Sequence, residues 1–468
     1  MRLQKKNIHG IAGVASMLII WQIAAISYGN PAMFPGVTDL FSELWEMMTT
    51  GNFYISLLFT IIRGFVGFLL AAALAGVLAS TALHHQALKG FIHPWVVTIR
   101  SVPVISLVLI ALIWLAPPNL PAFIAIFTMF PILYQHILSG LEHTDPKLVE
   151  MAKVFRKNAI GRLLHIFWPA ARKHIYAGVS TALGFGWRAV IIGEVLASPV
   201  FGIGTSMKKA QAYINMPELL AWTLIAVILS FGFEHLIQWM AETKRKNRVR
   251  VLKKSTVDYF QISECKNVSI NNLNLKFNNF SIFNNFSYSF RNNQVYLLKS
   301  ASGSGKTTLL KLLAGIQQPD SGTINKDSKL TVSYAFQDHR LLPWLSLYEN
   351  IAFVQPRYPE ITKREHEKII QLINMMELSD SLNKLPSELS GGQQQRAVIA
   401  RALSVKCHLL LLDEPLNGLE KELKQKVVKL IDLLTENYQP TIVWATHDDP
   451  EQWFQSKKPV IVNLISTQ

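Results

Sequence analysis

The 468-residue chain has only two cysteines, Cys265 and Cys407, which excludes a disulfide scaffold and a zinc site built from cysteine. Charged residues are scarce at 16%, while half the residues are apolar, so a disordered chain is excluded. The mean hydropathy of +0.23 is high for a wholly soluble protein. Acid is scarcer than base, 31 residues against 46, giving a net charge of +15. Such a balance asks for an anionic partner: nucleic acid, a membrane surface or phosphate. The position of the excess decides among them. Residues 1–250 hold 21 Lys and Arg against 10 Asp and Glu, whereas residues 251–468 hold 25 against 21. The surplus therefore sits in the apolar half, where it flanks membrane spans, and no nucleic-acid partner is expected.

Long apolar runs fill that half, near 10–29, 54–83, 95–116, 119–140, 175–198 and 219–241. Each is long enough to cross about 30 Å of hydrocarbon. The pattern predicts an all-α domain of six membrane-spanning helices over residues 1–242. Basic residues cluster before the first run (Arg2, Lys5, Lys6), in the loop at about 142–173, and after the last run (Lys244, Arg245, Lys246, Arg248). The connection from Asn30 to Asn52 has no Lys or Arg. This alternation puts both ends of the domain in the cytoplasm; Lys208 and Lys209 dissent weakly. Ionisable residues within the runs are Arg63, Arg100, Arg188, Glu194 and Glu234. Isolated charge in hydrocarbon is costly, so Arg188 and Glu194, with Trp187, are candidates to line a path. Arg63 and Arg100 can equally snorkel or brace helix ends.

After Lys254 asparagine becomes frequent and no run of 18 apolar residues recurs. A basic linker over 243–260 and a soluble domain over 261–468 are expected. In that domain the short apolar run Val295–Leu298 reads as a buried strand. Ser300-Ala-Ser-Gly-Ser-Gly-Lys-Thr-Thr308 follows, and then a helical run from Leu309. Strand, glycine-rich turn and helix make a phosphate cradle: Ser302, Gly303, Ser304 and Gly305 bring backbone N–H groups close, Lys306 reaches the outer phosphates, and Thr307, with Thr308 beside it, offers a hydroxyl to Mg²⁺. Ser300 stands where this pattern usually has glycine, and some backbone strain is expected there. Leu409–Leu412 reads as a second buried strand ending in Asp413 and Glu414. Asp413 is placed to hold Mg²⁺ and Glu414 to polarise an attacking water. The implied ligands are ATP and Mg²⁺.

Leu389-Ser-Gly-Gly-Gln-Gln-Gln-Arg396 resembles the signature of ATP-binding cassette ATPases. By that resemblance Ser390, Gly391, Gly392 and Gln393 meet the γ-phosphate held by a second copy, which implies a homodimer. Gln337 resembles the lid glutamine that senses Mg²⁺ and faces the membrane domain. His447, 33 residues after Glu414, resembles the switch histidine. Phe277 is the candidate to stack on adenine, with Phe280 as rival. Glu420 replaces the family's usual Asp. The stretch from Glu150 to Pro169 is similar to the coupling loop of importer permeases, at Glu150, Ala152, Arg156, Ile166 and Pro169; Arg156 replaces a glycine and puts the tight turn there under strain. The region 40–245 resembles permeases of the nitrate/sulfonate/bicarbonate type. The resemblance implies a fused chain, a six-span type I importer permease followed by an α/β P-loop cassette. It implies a multi-pass protein of a bacterial cytoplasmic membrane, a lipid bilayer around it, an extracytoplasmic binding protein and a small solute. An exporter half-transporter and a mechanotransmitter that moves no solute are the alternatives.

Overall fold

The computed structural model describes residues 2–30, 33–242, 249–252, 267–277, 280–301, 303–455 and 458–464. Most of the expected linker, 243–260, and Ser302 lie outside the described residues. The chain divides into two compact units. One comprises residues 1–144 and 170–244; the other comprises 145–169 and 245–468.

The first unit is helical: α1 (Arg2–Tyr28), α2 (Val37–Met48), α3 (Gly51–His84), α4 (Gln86–Ser101), α5 (Val104–Ala111), α6 (Leu120–Glu142), then, past the inserted α7 (Pro146–Val154) and α8 (Ala159–Arg162), α9 (Trp168–Ala197), α10 (Ile203–Ala212) and α11 (Met216–Glu242). Among the described residues, four helical stretches are long and apolar enough to cross a membrane: Gly51–His84, Leu120–Glu142, Ala159–Ala197 and Met216–Ala241. The first apolar run lies in α1, whose apolar part Ala15–Tyr28 is shorter than these. The run at 95–116 is corrected. It is two helices, α4 and α5, bent by 95°. Pro103 lacks an N–H and disfavours helix at the residue before it, and Val102 is accordingly extended at ψ 127°. The bent pair is either one broken span or a re-entrant loop, so the described residues hold four helices long and apolar enough to cross, or five with the pair counted as one, against the six expected.

Helices α3 and α6 pack closely because small residues line the contact. Ala71, Ala75 and Ala79 recur at four-residue spacing and are fully buried. A Cβ on Gly67 would collide with Ala125 and come within 2.9 Å of the Ala122 carbonyl. Without a hydrophobic drive between helices in lipid, such close backbone approach supplies the attraction. Trp187, expected on a path, is instead fully buried; it lies against Gly64 and stacks on Phe233 with centroids 4.8 Å apart. Arg188 and Glu234 are exposed, and Arg100 donates to Gln135 Oε1 at 3.1 Å.

Glu194 pairs with Arg63, not with its helix neighbour Arg188. Arg63 Nη1 lies 2.6 Å from Glu194 Oε1 and donates to the Phe201 carbonyl at 2.7 Å. The carboxylate also accepts from Thr60 Oγ1 at 2.9 Å and from the Gly204 N–H at 3.0 Å. A Cβ on Gly202 would sit 2.6 Å from the carboxylate. The pair thus ties α3, α9 and the start of α10. Removing one partner of such a buried pair costs roughly 3–5 kcal/mol, because the other is left uncompensated, whereas replacing both by apolar groups is close to neutral. Arg63→Met is therefore expected to lower the thermal midpoint of the purified chain markedly, and Arg63→Met/Glu194→Leu to recover most of the loss; a double variant less stable than the single would contradict this pairing.

The second unit contains β1 (Arg250–Leu252), β2 (Val268–Phe277), β3 (Phe280–Phe290), β4 (Val295–Leu298), α12 (Lys306–Ala314), β5 (Ser321–Asn325), β6 (Val332–Ala335), α13 (Leu347–Phe353), β7 (Glu360–Thr362), α14 (Lys363–Met375), α15 (Gly391–Ser404), β8 (Leu409–Asp413), α16 (Lys421–Tyr438), β9 (Thr441–Ala445) and β10 (Val460–Val462). Its main sheet runs β10-β4-β9-β8-β6, with every pairing parallel. Parallel sheets are covered on both faces, so their strands read as unbroken apolar runs. Strands β4, β8 and β9 are buried along their whole length. A smaller antiparallel sheet runs β3-β2-β5. Helices α7 and α8 belong to this unit: Leu148, Met151, Ala152, Val154, Phe155 and Ile166 join its core.

Candidate nucleotide site and coupling loop

The phosphate loop, Gln337, Asp413, Glu414 and His447 lie at or just beyond the carboxyl ends of the parallel strands, where open α/β sheets place ligands. The phosphate loop follows β4, Gln337 follows β6, Asp413 and Glu414 end β8, and His447 follows β9. Gly303 and Gly305 take φ of 84° and 90°, in the left-handed region that glycine alone occupies without strain. A Cβ on Gly305 would also meet Ile282 Cγ2 at 2.6 Å. Lys306 Nζ donates to the carbonyls of Ser300 and Ala301, at 2.7 and 3.1 Å, and stands 3.2 Å from His447 Nε2. Burial pulls the Lys306 ammonium below its ordinary range, opposed by Glu414 and Asp413. Thr308 is half-buried on α12 beside Thr307.

The expected strain at Ser300 is corrected. Its φ is not positive, and its hydroxyl is used: Oγ donates to the Lys299 carbonyl at 2.6 Å and accepts from the Leu464 N–H at 2.7 Å. A serine here therefore ties the phosphate loop to the segment after β10.

Asp413 is 2% exposed. It accepts from Thr307 Oγ1 at 3.0 Å and from the Tyr334 hydroxyl at 3.2 Å. Burial pushes its carboxyl up to about 6, against both hydrogen bonds. Glu414 takes φ 47°, unusual for a residue with a side chain, and its N–H donates to the Ala445 carbonyl at 2.9 Å. Its carboxylate accepts from Gln337 Nε2 at 3.1 Å and faces His447 Nε2 at 3.5 Å. The Gln395 amide holds the Glu414 and Pro415 carbonyls at 3.3 and 3.1 Å. Lys306, His447, Glu414 and Gln337 thus form one chain of contacts, with Thr307, Asp413 and Tyr334 a second beside it. Sequence reasoning missed Tyr334 and Gln395; each is an ordinary strand or helix residue until the fold aims it.

Among the described residues, the signature residues Ser390, Gly391, Gly392 and Gln393 make no side-chain hydrogen bond to this chain of contacts. Ser390 caps α15, its hydroxyl accepting from the Gln393 N–H at 3.3 Å while Gln393 Oε1 takes the Ser390 N–H at 3.0 Å. Gly391 has nothing within 4 Å of a Cβ position. With Gly392, Gln337, Glu414 and Gly418 it lines a cavity of about 210 Å³. Among the described residues none of Ser390, Gly391, Gly392 and Gln393 bonds to the phosphate loop of the same chain. Phe277 ends β2 opposite Phe280, and its side chain lies outside the description; Phe280 is 81% exposed.

The residues present fit a magnesium nucleotide. The Ser304 hydroxyl is buried without a partner, and Lys306 spends its donors on loop carbonyls that a phosphate would outcompete. Thr307 and Asp413 offer the hydroxyl and carboxylate oxygens that suit Mg²⁺, which keeps waters and phosphates as its remaining ligands.

Residues 337–340 reach from this site to the loop 145–169. Gln337 touches Glu414, and His339 Nδ1 lies 3.1 Å from Gln394 Oε1 on α15. Arg340 Nη1 pairs with Glu150 Oε2 at 2.8 Å and Nε with Asp338 Oδ1 at 2.7 Å, while Lys147 Nζ approaches Asp338 Oδ2 at 3.0 Å. Asp338 is held below the usual carboxylate range, burial opposing but Arg340 and Lys147 prevailing. Arg156 takes φ 52°, and two bonds from Nη2, to the Ser328 and Leu330 carbonyls at 2.9 and 2.8 Å, hold it there. Trp344 Nε1 donates to the His165 carbonyl at 3.0 Å. Ala152 and Ile166 are fully buried, and Pro169 is buried.

Fold and site together define a P-loop ATPase domain in one chain with a helical membrane unit. Residues 283–417 match the ABC transporter family, and residues 67–243 match the family described as the binding-protein-dependent transport system inner membrane component. One polypeptide therefore joins an ABC ATPase domain to a permease domain, and the chain is a multi-pass membrane protein. It is 34% identical over 206 residues to the spermidine/putrescine import ATP-binding protein PotA of Thermotoga maritima, covering 42% of this chain and 56% of that protein. It is 33% identical over 213 residues to the sulfate/thiosulfate import ATP-binding protein CysA of Pectobacterium atrosepticum, covering 42% of this chain and 63% of that one. The chain thus spans less than two thirds of the length of these relatives. Among solved structures, the dimeric ABC transporter cassette MJ0796 is similar at 25% identity, covering 42% of this chain and 94% of its own, with a TM-score of 0.37.

Lys157 gives the loop 145–169 a pH signature. Its Nζ donates to the Gln355 carbonyl at 2.6 Å and lies over the Phe353 and Tyr358 rings. Burial pushes the ammonium down to about 8, against Glu365, from an ordinary 10.5. Between those values the docked state binds fewer protons than the undocked one, so docking strengthens as pH rises through the window and is weakest below 8. The thermal midpoint of Lys157→Met is expected to depend less on pH between 7.5 and 10 than the parent's; parallel profiles would contradict the assignment.

Proposed function

We propose that the chain is half of an ATP-driven importer, a fused permease and ATPase that works as a homodimer. It takes a small solute from an extracytoplasmic binding protein and releases it into the cytoplasm, where its N-terminus and cassette lie. The observation that carries this reading is the path through residues 337–340, one end of which touches Glu414 while the other ion-pairs with Glu150. An exporter reading is disfavoured by the match to binding-protein-dependent permeases.

ATP is the substrate. Gly303, Ser304, Gly305 and Thr308, with Ser302, cradle its phosphates, and Lys306 neutralises their outer charge. Phe277 is assigned to the adenine. Thr307, Asp413 and Gln337 would hold Mg²⁺, which supplies further neutralisation of the transferring phosphoryl group. Glu414 orients the attacking water and takes up its proton, and His447, between Lys306 and Glu414, positions the γ-phosphate against that base. Ser390, Gly391, Gly392 and Gln393 do not reach their own phosphate loop, and they serve the nucleotide of the second copy. Two bound nucleotides draw the copies together; Gln337 follows, and Asp338 and Arg340 carry the shift to Glu150, Ala152, Arg156, Ile166 and Pro169. Hydrolysis releases it.

The two relatives are named for importing spermidine/putrescine and sulfate/thiosulfate. For this chain the permease resemblance supports a nitrate-, sulfonate- or taurine-like solute or a thiamine-precursor-like one. Glu414→Gln keeps the hydrogen bond to Gln337 and removes the base. It is expected to bind ATP, to accumulate a closed dimer by size-exclusion chromatography, and to lose steady ATP hydrolysis by at least about 100-fold. Appreciable turnover in that variant would refute the role given to Glu414.

A further inference from the structure

We infer that a pocket between α9 and α11 is a binding site for the headgroup of an anionic phospholipid. It has a volume of about 450 Å³, the scale of a small-molecule site. Arg172, Tyr176 and Ser180 recur every four residues, so they share one face of α9. Lys173 and Thr181 flank that face, Gln238 closes it from α11, and Ala177, Ile237 and Ala241 make an apolar floor. The polar lining is two cations, three hydroxyls and one amide, with no carboxylate. Neither Arg172 nor Lys173 has an ion-pair partner among the described residues. Of the acids on α11, Glu234 accepts from Gln238 Nε2 at 3.5 Å, and Glu242 follows Ala241 in sequence and is not among the lining residues.

This chemistry fits a phosphodiester. The guanidinium and ammonium meet the phosphate oxygens, and the hydroxyls and amide meet the ester and glycerol oxygens. Tails are provided for as well. Helix α11 presents Ile228, Phe231, Leu236, Trp239 and Met240 outward, 46–68% exposed. Trp239 and Met240 lie beside Gln238 in sequence, and an outward indole near a helix end marks the headgroup level of a bilayer. Basic pockets between spanning helices take anionic headgroups for the same electrostatic reason. The inference rests on the chain's lying in a membrane and not on the roles given to the ATPase residues.

The test uses the full chain, purified in a zwitterionic detergent and titrated with dioleoyl phosphatidylglycerol, with dioleoyl phosphatidylcholine and with inorganic phosphate at millimolar concentration. Native mass spectrometry counts bound lipid and a thermal midpoint reports stabilisation. Phosphatidylglycerol is expected to bind saturably, near one per chain, and to raise the midpoint; phosphatidylcholine and inorganic phosphate should do neither. Arg172→Gln/Lys173→Gln and the charge-preserving Ser180→Ala/Gln238→Ala should each weaken binding at least about tenfold, a difference of about 1.4 kcal/mol. Lys208→Gln/Lys209→Gln, which removes the same charge from α10, should leave it unchanged. Three results would overturn the site: full binding by Ser180→Ala/Gln238→Ala, equal loss in the α10 variant, which would mean diffuse charge, or a midpoint shift reproduced by inorganic phosphate alone, which would mean a soluble anion. Midpoints and bound lipid are read without nucleotide, so a failure here leaves the ATPase reading untouched.

Discussion

The side chain of Arg340 is 4% exposed, and a guanidinium buried so far from water must be paired where it lies. Its partners are Glu150 of the inserted loop and Asp338, with the Phe336 ring 4.1 Å away beneath it. The Arg340 and His339 carbonyls are in turn gripped by Arg401, itself fully buried on α15. Both His339 and Arg340 sit in the left-handed region, at φ 47° and 48°. Strained backbone persists only where its surroundings over-determine it. Here three elements do so at once: the signature helix, the segment after β6 and the loop 145–169.

This constraint explains why residues 145–169 fold with the cassette and not with the helices they interrupt. Their apolar side chains complete the cassette core, and their polar side chains satisfy its backbone. Arg156 caps the Ser328 and Leu330 carbonyls and Lys157 that of Gln355, while Trp344 reaches back to His165. An insertion that supplies both apolar area and hydrogen bonds is held at a defined place, and only a part so held can transmit a displacement.

Much of the cassette was legible from the sequence because its logic is local. Val295–Leu298 and Leu409–Asp413 are buried strands whose apolar runs announce them, and each delivers its motif at its end. The glycines of the phosphate loop need left-handed backbone, which a sequence shows directly. What depends on distant pairing was not legible. Arg63 and Glu194 lie 131 residues apart, and nothing in either neighbourhood chooses the other over Arg188. Tyr334 reaches Asp413 only because β6 and β8 pair in register, with Ala335 opposite Leu412. The bend after Ser101 was hidden for the opposite reason: hydropathy reports burial in lipid, and a proline changes direction without changing hydropathy. At Ser300 the pattern's glycine suggested strain, whereas the hydroxyl finds a donor, Leu464 N–H, 164 positions away.

We propose that Glu150 and Arg340 hand motion from the nucleotide site to the loop as a pair. A double-mutant cycle measures this directly, with solute imported per ATP hydrolysed as the readout in proteoliposomes containing the full chain. Glu150→Ala and Arg340→Ala should each lower that ratio, and the double variant should fall no further than the worse single. Strictly additive losses, or a ratio unchanged in all three, would contradict the account.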